Sequence, residues 1–124
     1  MTRYAMIAIG GAIGALARYL VATLIQRHVP VGFPWGTFVV NVTGCFVMGV
    51  VVTVLRDRIV ASPNWLFLVP IGFIGAYTTF STFEMELFNA NADGAWLIGG
   101  AYLAGSVVVG YVALWMGVMV ARVV

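Results

Sequence analysis

The sequence predicts an all-α membrane protein of four transmembrane helices, the third of them broken mid-membrane. Three observations predict it. Hydrophobic residues make up 63% of the 124 residues and charged residues 8%, with a mean hydropathy of +1.08. A water-soluble domain sits near half apolar and a quarter charged. The apolar residues fall into four runs, each close to the ~20 residues a helix needs to cross hydrocarbon. The third run is interrupted by Gly72, Gly75 and a cluster of hydroxyls in Thr78–Thr79–Phe80–Ser81–Thr82. Hydroxyls at that depth are costly unless each finds a partner, so they face a bundle interior or a polar path.

Span one is expected over residues 4–25. Its apolar run continues past Arg18 to Ile25, which favours a membrane span over a cleaved leader peptide. Gly10 and Gly14 make a GxxxG step, a surface for close backbone approach. Gln26, Arg27, His28, Pro30, Gly32 and Pro34 mark the first loop. Span two is expected over 35–55, with Gly36, Gly44 and Gly49 along it, and Arg56, Asp57, Arg58, Ser62, Pro63 and Asn64 follow as the second loop. Span three is expected over 65–88 and span four over 96–121, separated by Asn89, Asn91, Asp93 and Gly94. Trp35, Trp65 and Trp96 each open a span, at the interfacial depth that amphipathic rings favour. The whole chain, 1–124, reads as a single transmembrane domain.

The charge pattern narrows function. The net charge of +2 rests on arginine alone, and six scattered arginines make no nucleic-acid surface. The chain has no nucleophile–base pair, no His/Cys/Asp/Glu cluster and no phosphate loop, so an enzyme is not expected. Cys45 has no partner for a disulfide or metal and reads as packing. Arg3, Arg56, Arg58 and Arg122 fall on one side of a four-span arrangement and Arg27 on the other, which favours both termini in the cytoplasm.

Several residues within the spans carry chemistry. Thr37, Asn41, Gly44 and Met48 share a face of span two, and Asn41 is either an amide clamped between helices or a donor aimed into an anion path. In span three the weakened helix frees backbone carbonyls, which suit a hard cation such as sodium. Phe80 and Phe83 point the same way, beside a stripe of Thr79 and Thr82 that leads to Glu86. A phenyl edge is electropositive and would greet an anion. Tyr102 and Ser106 share a face of span four with Gly110, and a buried serine commonly bonds back to its own helix. Arg18, inside span one, would raise anion concentration from an aqueous vestibule or else pair with a carboxylate or a helix C-terminus. Glu84 and Glu86 read as interfacial and solvated. Four thin helices enclose little volume, so a pore calls for a second subunit.

Taken in order, these motifs resemble a known family. Gly10–Gly11–Ala12–Ile13–Gly14–Ala15 with Arg18–Tyr19, Gly36–Thr37–Phe38 with Asn41 and Gly44, and Gly72–Phe73–Ile74–Gly75 running into Thr78–Thr79–Phe80–Ser81–Thr82–Phe83 are similar to the Fluc (CrcB-like) fluoride channels. The resemblance implies an antiparallel, dual-topology homodimer in the inner (plasma) membrane, with fluoride pathways along the subunit interface. It implies that Asn41, Phe80, Phe83, Ser81, Thr82, Thr79 and Ser106 line the pathway, with Arg18 and Glu86 near its mouths. It implies a structural sodium ion held by the backbone carbonyls of Gly75 and Thr78 from both subunits. Gly110 stands where the family often carries a second hydroxyl, which thins the polar track on span four. The partners implied are fluoride, lipid and a second copy of the chain. Two rivals remain: a small proton-coupled multidrug-type exporter, whose first span would need a carboxylate that this one lacks, and a non-conducting assembly subunit.

Overall fold

The computed structural model describes residues 1–57 and 62–123. Arg58, expected in the second loop, lies outside the described residues. Helix α1 (Thr2–His28) and helix α2 (Trp35–Asp57) are uninterrupted. Helix α3 is a continuous rod of three stretches: Pro63–Leu66, a π-helical Phe67–Ile74, and Gly75–Tyr77. Helix α4 (Phe80–Ala92) follows after two extended residues, and α5 (Trp96–Val123) completes the described fold. Four helical segments, with α3 and α4 forming one span, are long and apolar enough to cross a membrane: Thr2–His28, Trp35–Arg56, Asn64–Ala92 and Trp96–Val123.

Local chemistry sets these boundaries. Ser62 caps α3 by accepting from the Asn64 N–H at 3.4 Å, with Pro63 at the first helical position. Pro70 sits inside the π-helical stretch, where its missing N–H removes a ladder bond. The Gly75 N–H reaches back five residues to the Pro70 carbonyl, the wider spacing of a π turn. Helix α4 ends in a Schellman-type turn: Gly94 has φ +80° and the Ala95 N–H donates to the Ala90 carbonyl at 2.8 Å.

The helices pair backbone to backbone at glycines. α1 lies against α3, where a Cβ on Gly10 or Gly14 would strike the backbone of Leu68 or Phe73. A Cβ on Gly72 would stand 2.9 Å from the Ile7 carbonyl oxygen. α2 lies against α5 in the same manner, Gly49 on the Leu114 carbonyl and Gly117 on that of Phe46. Gly36 lets the start of α2 sit on the Ala22 carbonyl of α1. Lipid gives apolar side chains no drive to associate, so close van der Waals contact does the holding. The fully buried side chains are correspondingly few: Val40, Ile74 and Tyr102.

The structure narrows where the third span breaks. Gly72, Gly75, Thr78 and Thr79 were expected together to weaken the helix; the two glycines remain helical, and Gly72 serves the α1 contact. The break is at the two threonines: Thr78 (φ −78°, ψ 157°) and Thr79 (φ −148°, ψ 122°) are extended. Consecutive β-branched hydroxyl residues, which prefer extended backbone and capping, decide the position.

Candidate functional site

The break is held by an amide. Asn41 Oδ1 accepts from the Thr79 N–H at 2.8 Å, and Asn41 Nδ2 donates to the Thr79 carbonyl at 3.0 Å. The Thr79 hydroxyl accepts from the Thr82 N–H at 3.3 Å and so caps α4, while donating to Thr82 Oγ1 at 3.0 Å. Gly44, one turn below the level of Asn41, leaves space that the Thr78 methyl fills. Of the two readings of Asn41, the clamp between helices is thus formed. Its second Nδ2–H is left over, since a primary amide carries two donors.

Satisfying Thr79 in this way strips two carbonyls. In an unbroken helix the Thr79 N–H would serve Gly75 O and the Thr82 N–H would serve Thr78 O. Both donors are engaged elsewhere, on Asn41 and on Thr79 Oγ1. Gly75 is solvent-exposed in the single chain. A cleft of ≈ 260 Å³ opens beside the break, lined by Asn41, Gly44, Cys45, Met48, Thr78 and Phe80, among others.

The two phenylalanines have different surroundings. Their ring centroids lie 5.9 Å apart, yet Phe80 is 74% exposed and Phe83 only 5%. Phe83 meets the Tyr102 ring edge-on at 4.9 Å. Tyr102 donates its hydroxyl to Glu86 Oε2 at 2.7 Å, and Thr37 donates to Glu86 Oε1 at 2.8 Å. Glu86 was expected to be interfacial and solvated. It is instead half-buried, with each carboxylate oxygen holding a hydroxyl, which compensates its removal from water. Ser106, one turn after Tyr102, was expected either to bond back to its own helix or to line the pathway that the resemblance implies. Its hydroxyl oxygen is buried and, among the described residues, has no partner.

Arg18 is half-buried and lines a second cleft of ≈ 270 Å³. Thr23, Thr37, Thr79 and Thr82 line the same space, so the cleft draws threonines from α1, α2, the break and α4. Among the described residues, Arg18 makes no ion pair with Glu86, whose carboxylate oxygens accept from Thr37 and Tyr102. Ser81 and Thr82 are exposed on the first turn of α4. No group of three or more His, Cys, Asp or Glu residues suited to a metal occurs among the described residues.

Residues 5–118 match the family described as CrcB-like protein, Camphor Resistance (CrcB). The chain belongs to the CrcB-like family. Among CrcB-like relatives, a protein of Solibacter usitatus named fluoride-specific ion channel FluC is 48% identical over 120 residues, 97% of this chain and 98% of that one. The protein of the same name from Acidobacterium capsulatum is 47% identical over 118 residues, covering 95% and 94% of the two chains. That from Nitratidesulfovibrio vulgaris is 41% identical over 124 residues, the full length of both. In this CrcB-like chain, Asn41 meets Thr79, Phe83 adjoins Glu86 through Tyr102, and Arg18 shares a cleft with Thr79 and Thr82. Ser106 makes no hydrogen bond to any of them. Sequence reasoning missed Phe33, whose ring lies 5.3 Å from that of Tyr102. The Phe33–Pro34 pair was the available signal, because a residue that precedes proline is restricted to extended backbone.

Proposed function

We propose that the chain is the subunit of a fluoride-selective channel, not an enzyme, and that it carries fluoride passively out of the cell across the inner (plasma) membrane. The observation that carries this reading is the near-full-length identity to proteins named fluoride-specific ion channels. The chemistry at the break supports it. Fluoride is small and strongly hydrated, so a selective path replaces water with compact donors. The spare Asn41 N–H, the Thr82 and Ser81 hydroxyls and the edge of Phe80 are uncharged donors of that size, and Ser106 adds an unused hydroxyl. A fixed cation in the narrow part would retain the ion, and Arg18 lines a different cleft from the one that Asn41 and Phe80 line.

Exposure of Phe80, Ser81, Thr82 and Gly75 within a membrane span supports assembly of two copies across this face. The family resemblance makes that dimer antiparallel, with dual topology. The stripped carbonyls of Gly75 and Thr78 fit a sodium ion, a hard cation that takes oxygen ligands. Two copies would supply four such carbonyls, and the bound ion would supply fixed positive charge between the subunits. An exporter of the small multidrug type is not favoured, because α1 contains no carboxylate.

The test is efflux from liposomes loaded with fluoride, with chloride as control. Wild type should release fluoride and retain chloride, and Phe80→Ile should lower fluoride release at least about tenfold, ~1.4 kcal/mol of barrier. Undiminished release in that variant removes Phe80 from the pathway. Absence of fluoride release in the wild type removes the function.

A further inference from the structure

Phe33 belongs to the connection between α1 and α2, outside every motif that marks the pathway. Its backbone is restricted by the proline that follows it, and Gly32 at φ +130° makes the turn that leads into it. Its ring is braced by Trp35, at 4.5 Å between centroids, and by Phe38, at 5.6 Å. From this footing it meets Tyr102 edge-on, 5.3 Å away at 77°. Tyr102 has no exposed surface, and its hydroxyl is tied to Glu86. Its ring also meets Phe83 at 4.9 Å and 61°, and Phe83 meets Phe80 at 5.9 Å.

These contacts form one aromatic chain from a loop residue to the helix break. We infer that Phe33 is a positioning residue: through Tyr102 it sets the ring orientation of Phe83, and so the edge that Phe83 offers to the ion. The inference rests on the fluoride-channel reading of Phe83. A phenyl ring stabilises an anion at its edge and repels it at its face, so a turned ring changes the sign of the interaction. Tyr102 alone does not fix that angle, because its bond to Glu86 permits rotation about the ring's long axis. An edge-on neighbour on the Phe33 side removes that freedom.

The test places 4-fluorophenylalanine at position 83, or at position 67 as a control, and records fluorine NMR spectra of the full chain in lipid nanodiscs. Phe33→Leu keeps apolar bulk and removes the ring. It should shift or broaden the position-83 resonance, leave the position-67 resonance in place, and lower fluoride efflux about two- to tenfold, the range an aromatic pair supports. Phe33→Tyr, which keeps the ring, should restore both readouts. An unchanged position-83 resonance in Phe33→Leu overturns the inference, as does a Phe33→Tyr variant that behaves like Phe33→Leu. The reading of Phe83 as a pathway residue fails separately: its failure would appear as undiminished efflux in Phe83→Ile, whatever the resonances do.

Discussion

Asn41 shows how one side chain can stand in for a helix backbone. Its amide replaces two hydrogen bonds that the broken helix gives up at Thr79. Asn41→Asp retains an acceptor for the Thr79 N–H but sets an oxygen against the Thr79 carbonyl. Leaving one buried group unpaired costs about 1–3 kcal/mol, and more where the group is charged. The variant should unfold at lower temperature in detergent and lose fluoride efflux together. Tyr102→Phe separates two other roles. The ring contact with Phe83 survives, whereas Glu86 Oε2 loses its donor, so stability should fall by about 1–3 kcal/mol in thermal or denaturant unfolding. Asn41 was identifiable in the sequence as a polar residue on a packed face, but its partner was not. An amide's partner lies across a tertiary contact, here 38 residues away, and no local periodicity encodes it. Glu86 was misread for the same reason: hydropathy placed it near a span end, and only the fold brings Thr37 and Tyr102 to its two oxygens.

At the scale of elements, the spans were legible because burial in hydrocarbon demands length and apolarity of each helix separately. The expected 4–25, 35–55, 65–88 and 96–121 lie inside the observed segments, which extend further by a few polar or interfacial residues at their ends. The π-helical stretch of α3 was not legible. Pro70 signals a disturbed ladder, but whether a helix kinks or widens depends on the neighbour it must fit, and α1 supplies that neighbour at Gly10 and Gly14. The glycines divide into two classes that mutation should separate. A Cβ at Gly117 would meet the Phe46 carbonyl, so Gly117→Ala should force α2 from α5 and destabilise by about 1–3 kcal/mol. Gly100, also in α5, has open space around it. Gly100→Ala should stabilise by about 0.5–1 kcal/mol through helix propensity. Paired thermal melts in one detergent check both signs.

For the whole molecule, the single chain leaves residues on both sides of the break exposed. Four of the exposed positions there, Gly75, Phe80, Ser81 and Thr82, were legible as a motif in the sequence. The arrangement proposed for a second copy rests on family resemblance alone, because arginine counts on the two sides favour one orientation over the other. If sodium joins the two copies through the Gly75 and Thr78 carbonyls, exchanging it for N-methyl-D-glucamine should lower the melting temperature of the dimer and shift it toward monomer in size-exclusion chromatography. Identical behaviour in both salts would remove the ion from the assembly.

The pairing of α1 with α3 and of α2 with α5 also bears on biogenesis. Helices adjacent in sequence are not the principal partners, so Gly10, Gly14 and Gly49 stay uncovered in a nascent hairpin of α1 and α2 alone. The carbonyl that receives Gly49 belongs to Leu114 in α5. Close packing of α2 in the membrane therefore waits on the insertion of α5.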